Sequence, residues 1–136
     1  MKALLFTIPL LLASSLIAKD VIEDTTTSLL WQDAPDNKSL SITYFEAQDY
    51  CEKLVIAEYK DFRLPTLNEL QSIIDYKNYK PAILKGFLHV ANETYWSSTL
   101  FADDDMEVWT IQFKKGARST KAKHYDRYVR CVQKLK

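Results

Sequence analysis

Phe62-Arg63-Leu64-Pro65-Thr66-Leu67-Asn68-Glu69-Leu70 is the stretch on which the reading of this chain turns. Pro65 stands just before Thr66, and Thr66 with Glu69 makes the S/T-x-x-E box that satisfies unpaired N–H groups at a helix start. Leu67, Leu70, Ile73 and Ile74 then share one helical face, which predicts a helix from Thr66 to about Tyr76. Arg63 precedes this capped start. Its five fixed donors can bond several backbone carbonyls, so it is expected to hold an irregular connection in place; a solvated charge fits less well between Phe62 and Leu64.

Upstream, a second box, Thr43 with Glu46, opens another helix in which Tyr44, Ala47, Cys51 and Leu54 recur at helical spacing. Before it, Val21 and Ile22, a Thr-rich turn and Leu29-Leu30-Trp31-Gln32-Asp33 read as a short strand region, broken by Ala34-Pro35-Asp36-Asn37. Downstream, Pro81 and Gly86 punctuate an apolar loop, residues 82–90, with room for one more short helical turn. Tyr95-Trp96-Ser97-Ser98-Thr99 reads as a strand. Residues 108–113 alternate Trp109, Ile111 and Phe113 on one side with Thr110 and Gln112 on the other. Lys114-Lys115-Gly116 is a hairpin turn, and residues 128–132 close the chain as a strand with Val129 and Cys131 on one face. Helices first and strands later make the class α+β: two helices in the N-terminal half packed on a twisted antiparallel sheet.

The chain's 136 residues leave room for one ordinary domain. Its 47% apolar and 26% charged residues are the balance of a packed protein, which sets aside a disordered one. Residues 1–18 are expected to stand outside that domain, which then spans 19–136. Met1-Lys2 is a positive head, residues 3–12 are apolar but for Thr7 and Pro9, and residues 13–18 are a small-residue exit, the layout of a secretory signal peptide. The expected cut follows Ala18 and leaves Lys19 first, with Ser15 as the alternative. The apolar run is shorter than the ~20 residues that span a bilayer, so no transmembrane anchor is expected after cleavage; an uncleaved N-terminal anchor is the alternative. No cysteine follows the run, which argues against a lipid-modified N-terminus. The expected location is the periplasm or the cell exterior. In that oxidising setting Cys51 and Cys131 are read as a disulfide joining the first helix to the last strand, with two free thiols as the alternative. Closing a loop of about 80 residues contributes on the order of 4 kcal/mol.

Five fragments in this order resemble the bacterial Lcl C-terminal domain family, named for the terminal domain of a collagen-like surface protein. They are residues 29–33, residues 47–51, the 62–70 stretch, Tyr95-Trp96-Ser97-Ser98-Thr99 and Val129-Arg130-Cys131-Val132. The resemblance implies a C-type-lectin-like fold, related also to that of formylglycine-generating enzymes, in which a disulfide joins the first helix to the final strand. Departures are visible. Phe62 stands where the family often has Trp, and residues 55–61 replace a Gly-rich loop, in a chain with only two glycines.

Catalytic chemistry finds little support. A formylglycine-generating site would need free cysteines, which the disulfide consumes. His89 and His124, the only histidines, lack an H-x-x-x-H spacing. Ser97 and Ser98 lack the G-x-S-x-G elbow. Trp31, Trp96 and Trp109 lie on expected strands, so core packing is favoured over sugar stacking. Asp103, Asp104 and Asp105, with Glu107, form an acidic loop whose hard oxygens suit calcium. That loop matches neither the E-P-N nor the W-N-D signature of sugar-binding C-type lectins, and a solvated turn is the alternative.

The strongest charge feature lies at the other end. The whole chain is neutral, with 18 basic and 18 acidic residues. Yet Lys114, Lys115, Arg118, Lys121, Lys123, Arg127, Arg130, Lys134 and Lys136 crowd the last segment, opposed only by Asp126 and interleaved with Tyr125 and Tyr128. Lys114, Lys115, Arg118, Lys121, Lys123 and Arg127 are the expected polyanion-binding residues; protection of an edge strand is the alternative use of such lysines. An exported protein rarely meets nucleic acid, so an anionic glycan or envelope polymer is the expected partner of a non-catalytic binding module. A structural or protein-interaction subunit of an envelope complex is the alternative. No cofactor is expected beyond the calcium option.

Overall fold

Both threonine boxes start helices where the sequence places them. The computed structural model describes residues 20–136, so the expected signal peptide and Lys19 lie outside the described residues. α2 (Tyr44–Lys53) and α3 (Leu67–Ser72) are capped reciprocally: Thr43 and Thr66 accept from the Glu46 and Glu69 N–H groups, and each glutamate accepts from its threonine's N–H. α3 is shorter than expected. Ile73 and Ile74 are buried, as the helical spacing implies, but Ile74 bridges Ile83 in extended conformation and draws the chain out of the helix. A further helix, α1 (Asp36–Ser39), forms where the sequence reads as a break. Residues 82–90 contain no helical turn.

The expected single sheet is two. A three-stranded antiparallel sheet has the order β1-β2-β8, from β1 (Val21–Asp24), β2 (Leu29–Gln32) and β8 (Val132–Lys134). A five-stranded sheet has the order β3-β7-β4-β5-β6, from β3 (Ser41–Ile42), β7 (Arg127–Tyr128), β4 (Thr94–Leu100), β5 (Glu107–Gln112) and β6 (Ala117–Ala122). β4 and β7 run parallel at Tyr95 and Tyr128, against the expectation of a wholly antiparallel sheet. The expected closing strand over residues 128–132 is therefore broken: residues 129–131 carry the chain from one sheet to the other. Cys131 is linked to Cys51, with Cα atoms 5.5 Å apart, so the disulfide ties α2 to this crossover and not to a strand.

The five-stranded sheet is covered on both faces. Tyr95, Ile111 and Phe113 pack with Leu67, Leu70, Ile73, Trp31 and Ile83, while Trp96 and Val108 pack with Tyr44, Ala47, Cys51, Phe62 and Leu64 from the α2 side. This double covering explains why Thr110, on the side of the strand opposite Ile111 and Phe113, is fully buried as well, its hydroxyl donating to the Ser119 carbonyl at 2.9 Å. The class is α+β, as the sequence indicates.

Candidate functional site

The two most distinctive sequence fragments form one joint. Ser98 N–H donates to the Pro65 carbonyl at 2.7 Å, and Leu67 N–H donates to the Thr99 hydroxyl at 2.9 Å. Ser97 spends its hydroxyl on the Trp109 carbonyl at 2.6 Å. These serines are thus engaged in backbone anchoring. Arg63 anchors the same joint, though not as expected: it forks onto Glu69 at 2.7 and 2.8 Å and reaches a single carbonyl, that of Leu64, at 3.3 Å. Burial alone would raise the Glu69 pKa, but the bonds from Arg63 and Thr66 outweigh it and hold the carboxyl below its ordinary value. Of the three tryptophans, Trp31 and Trp96 are fully buried. Trp109 is half-buried, edge-on to Phe101 and with the Arg118 guanidinium 5.7 Å from its ring.

The pleat divides the basic segment. Arg118 lies opposite Ile111 and Lys121 opposite Val108, so the two cations leave opposite faces of β6. Lys114 and Lys115 are exposed in the β5–β6 turn. Lys123, just past β6, holds its ammonium 5.3 Å from the Tyr44 ring and 5.5 Å from that of Phe45. Arg127 is not part of the β6 edge at all. It lies in β7, with β4 and β5 between, three strand spacings of about 4.8 Å away. Arg130, one of the nine cations of the segment, is fully buried in the crossover and contributes nothing to a surface charge. Among the described residues the ion pairs are Lys53 with Asp49, Arg63 with Glu69 and Arg130 with Asp33; none of the six candidate cations is in one.

Asp103, Asp104 and Asp105 are exposed in the turn between β4 and β5, where Asp104 accepts the Met106 N–H at 2.9 Å and its carbonyl accepts from Glu107. Among the described residues no group of three or more His, Cys, Asp or Glu side chains is placed to hold a metal ion. No described helix is long and apolar enough to cross a membrane.

Another group was not anticipated from the sequence. Lys80 N–H donates to the Lys114 carbonyl at 2.9 Å and Ala82 N–H to that of Phe113 at 2.7 Å, which brings residues 76–80 beside the β5–β6 turn. Tyr76-Lys77-Asn78-Tyr79-Lys80 alternates aromatic and cationic residues, a signal available in the sequence but overshadowed by the helical pattern that precedes it.

No curated protein matches this sequence. The family comparison agrees with the fragments and the joint they build: the Lcl C-terminal domain matches residues 20–133, and the chain belongs to that family.

Proposed function

We propose that the chain is an exported, non-catalytic binding module of the periplasm or cell exterior that takes a polyanionic glycan, or another anionic envelope component, along the β6 edge. The observation that carries this reading is charge without partners. Lys114, Lys115, Arg118 and Lys121 stand on or beside an edge strand and form no ion pair among the described residues. Such cations attract a polymer of opposite sign over a distance set by salt, about 10 Å at 0.1 M. A lectin-like architecture, which the family resemblance suggests, suits that role, and the signal-like residues 1–18 support export. The reading needs no cofactor.

The test is binding of the disulfide-intact domain to dextran sulfate, polyphosphate and neutral dextran at two salt concentrations, with calcium and with a chelator. Salt-sensitive binding to the anionic polymers alone is expected. Charge reversal at Lys114, Lys115 and Arg118 is expected to weaken it by about tenfold or more, about 1.4 kcal/mol. Unchanged binding by that variant would sink the reading, and a calcium requirement would move the site to Asp103, Asp104 and Asp105.

A second reading, a protein-interaction subunit of an envelope complex, is favoured by one observation. Phe45 and Met106, each more than half exposed, are both tied to Lys123, whose ammonium lies 5.5 Å from the Phe45 ring and whose N–H donates to the Met106 carbonyl. Co-purification of one stoichiometric partner, lost on Phe45→Ser with Met106→Ser, would favour it.

A further inference from the structure

We infer that the free edge of β1 is a docking strand for an extended, cationic segment of another protein, which adds to the three-stranded sheet beside Val21 and Glu23. This edge belongs to the other sheet from the basic β6 edge, and the inference stands independently of the polyanion reading.

The backbone fixes which groups are on offer. In the order β1-β2-β8, the outer side of β8 is closed, because Val132 and Arg63 each donate an N–H to the other's carbonyl at 2.9 Å. β1 has no such cover among the described residues. Asp33 N–H donates to the Asp20 carbonyl at 2.8 Å, whereas Gln32, opposite Val21, donates its N–H to the Cys131 carbonyl on the far side of β2. Bonded and non-bonded pairs alternate along an antiparallel ladder. The backbone groups of residues 22 and 24 therefore face β2, while Val21 and Glu23 turn both N–H and C=O outward. A strand laid along this edge pairs all of these groups.

The side chains suit such a strand. Val21 and Tyr59 pack against the cluster around Trp96, and Ile22, Leu84 and Phe87 against the one around Trp31. A cleft of about 390 Å³ is lined by Val21, Ile22, Glu23 and Tyr59. A second, of about 180 Å³, has Ile22, Leu84 and Phe87 among its walls. Successive side chains of an added strand point to opposite faces, and each face offers an apolar wall.

Charge decides the occupant. Asp20-Val21-Ile22-Glu23-Asp24 carries three carboxylates and no cation, and none of the three is in an ion pair among the described residues. The neighbouring cations Lys60, Lys85 and Lys136 share the surrounding clefts with Glu58 and Asp61 as well as Glu23 and Asp24, which leaves the balance acidic. A second copy is a poor fit. Antiparallel pairing centred on Ile22 sets Asp20 of one copy opposite Asp24 of the other, and parallel pairing in register sets each acid opposite itself. Like charges directly opposite destabilise a sheet, so these acids guard the edge against its own kind. A strand with lysine or arginine across from Asp20, Glu23 and Asp24 converts the same residues into attractive cross-strand pairs.

The test titrates the disulfide-intact mature domain with a capped peptide, Thr-Lys-Lys-Val-Val-Lys-Thr, whose fourth residue falls opposite Ile22 in antiparallel pairing. Its counterpart carries glutamate for each lysine. Two further analogues are N-methylated, one at the third and fifth residues, whose N–H groups face β1, and one at the fourth and sixth, whose N–H groups face away. The lysine peptide is expected to bind and the glutamate peptide not. Methylation at the third and fifth residues is expected to weaken binding about tenfold or more, and methylation at the fourth and sixth to leave it unchanged. Glu23→Gln is expected to weaken it about threefold through charge alone. Glu23→Pro also removes an outward N–H, a change that an edge strand tolerates, and is expected to bind more weakly than Glu23→Gln at an unchanged melting temperature. Should Glu23→Pro fail to fold, the methylated peptides decide, since they alter only the ligand. No binding of the lysine peptide would overturn the inference. Equal binding of the two methylated peptides would overturn it too, by showing charge attraction without strand pairing, as would unchanged binding by folded Glu23→Pro. Sedimentation of the wild type as a dimer that Glu23→Pro dissolves would overturn it by making a second copy the occupant.

Discussion

Arg130 is a guanidinium with no access to water, and burial lowers its pKa. Acceptors hold it in place: the Gln32 carbonyl at 2.5 Å, the His89 carbonyl, and the Asp33 carboxylate at 3.4 Å, with the Phe87 and Tyr95 rings 5.0 and 5.8 Å from its central carbon. Asp33 has a second duty, since it also accepts the Leu88 and His89 N–H groups at 3.0 Å each. One carboxylate thus fixes both the buried cation and the backbone of the long loop between α3 and β4. Removing one partner of a buried pair leaves an uncompensated charge, and here it also strands two backbone donors. Asp33→Ala is therefore expected to lose about 3–5 kcal/mol of stability, read by urea unfolding at neutral pH; a loss under about 1 kcal/mol would show that the carbonyls alone suffice. The sequence could not separate Arg130 from the exposed cations around it. Its burial follows from the crossover between sheets, a tertiary event that no local pattern records.

α3 shows what a capping box can and cannot decide. Thr66 and Glu69 satisfy each other's N–H groups within three residues, so this helix start is legible from four letters of sequence, as is that of α2. α1 is not legible, because what steadies it is distant. Asn37, fully buried, accepts the Ala34 N–H and donates to the Val129 carbonyl 92 residues away. Two predictions belong to α3. Thr66→Ala removes the cap and is expected to lose about 1 kcal/mol. Glu69→Gln keeps the shape and removes the charge that Arg63 grips. The Glu69 carboxyl is held below its ordinary value of 4.5 in the folded chain. Its contribution is therefore present above that value and is lost as pH falls through the lower folded value. The stability gap between wild type and Glu69→Gln should be open at pH 7 and narrow below about pH 4. Arg63 is nearly half exposed, so solvent screens the pair and keeps the gap modest. A gap of equal size at both pH values would mean that the carboxylate charge is irrelevant to the joint.

At the scale of the whole molecule, composition and element order reach the α+β class but not the division into two sheets. That division depends on residues 129–131, where Val129 and Cys131 read as one face of a continuous strand although the segment belongs to neither sheet. The candidate site follows the same rule. The six cations are consecutive enough in sequence to suggest a single stripe, and the pleat and the strand order distribute them: Lys114, Lys115, Arg118 and Lys121 at the β6 edge, Lys123 against α2, and Arg127 beyond β4 and β5. What gathers next to the edge instead is the 76–80 loop, through backbone bonds that sequence spacing does not reveal. The disulfide is the one long-range link legible in advance, because two cysteines in an oxidising compartment leave a single pairing. It closes a loop of 80 residues between α2 and the crossover, and both half-cystines are fully buried among Leu30, Phe62, Trp96 and Val129. Opening it frees the unfolded chain and loosens the only segment that connects β7 in one sheet to β8 in the other. Cys51→Ala/Cys131→Ala is expected to lose about 4 kcal/mol, measured by urea unfolding with midpoint and slope fitted together, the slope rising as the freed unfolded chain exposes more surface. A double variant within about 1 kcal/mol of wild type would mean that Arg130, Gln32 and Asn37 hold the crossover without the disulfide, with the Cys131 N–H still bonded to the Gln32 side chain at 3.1 Å and the Val129 carbonyl to that of Asn37 at 3.0 Å.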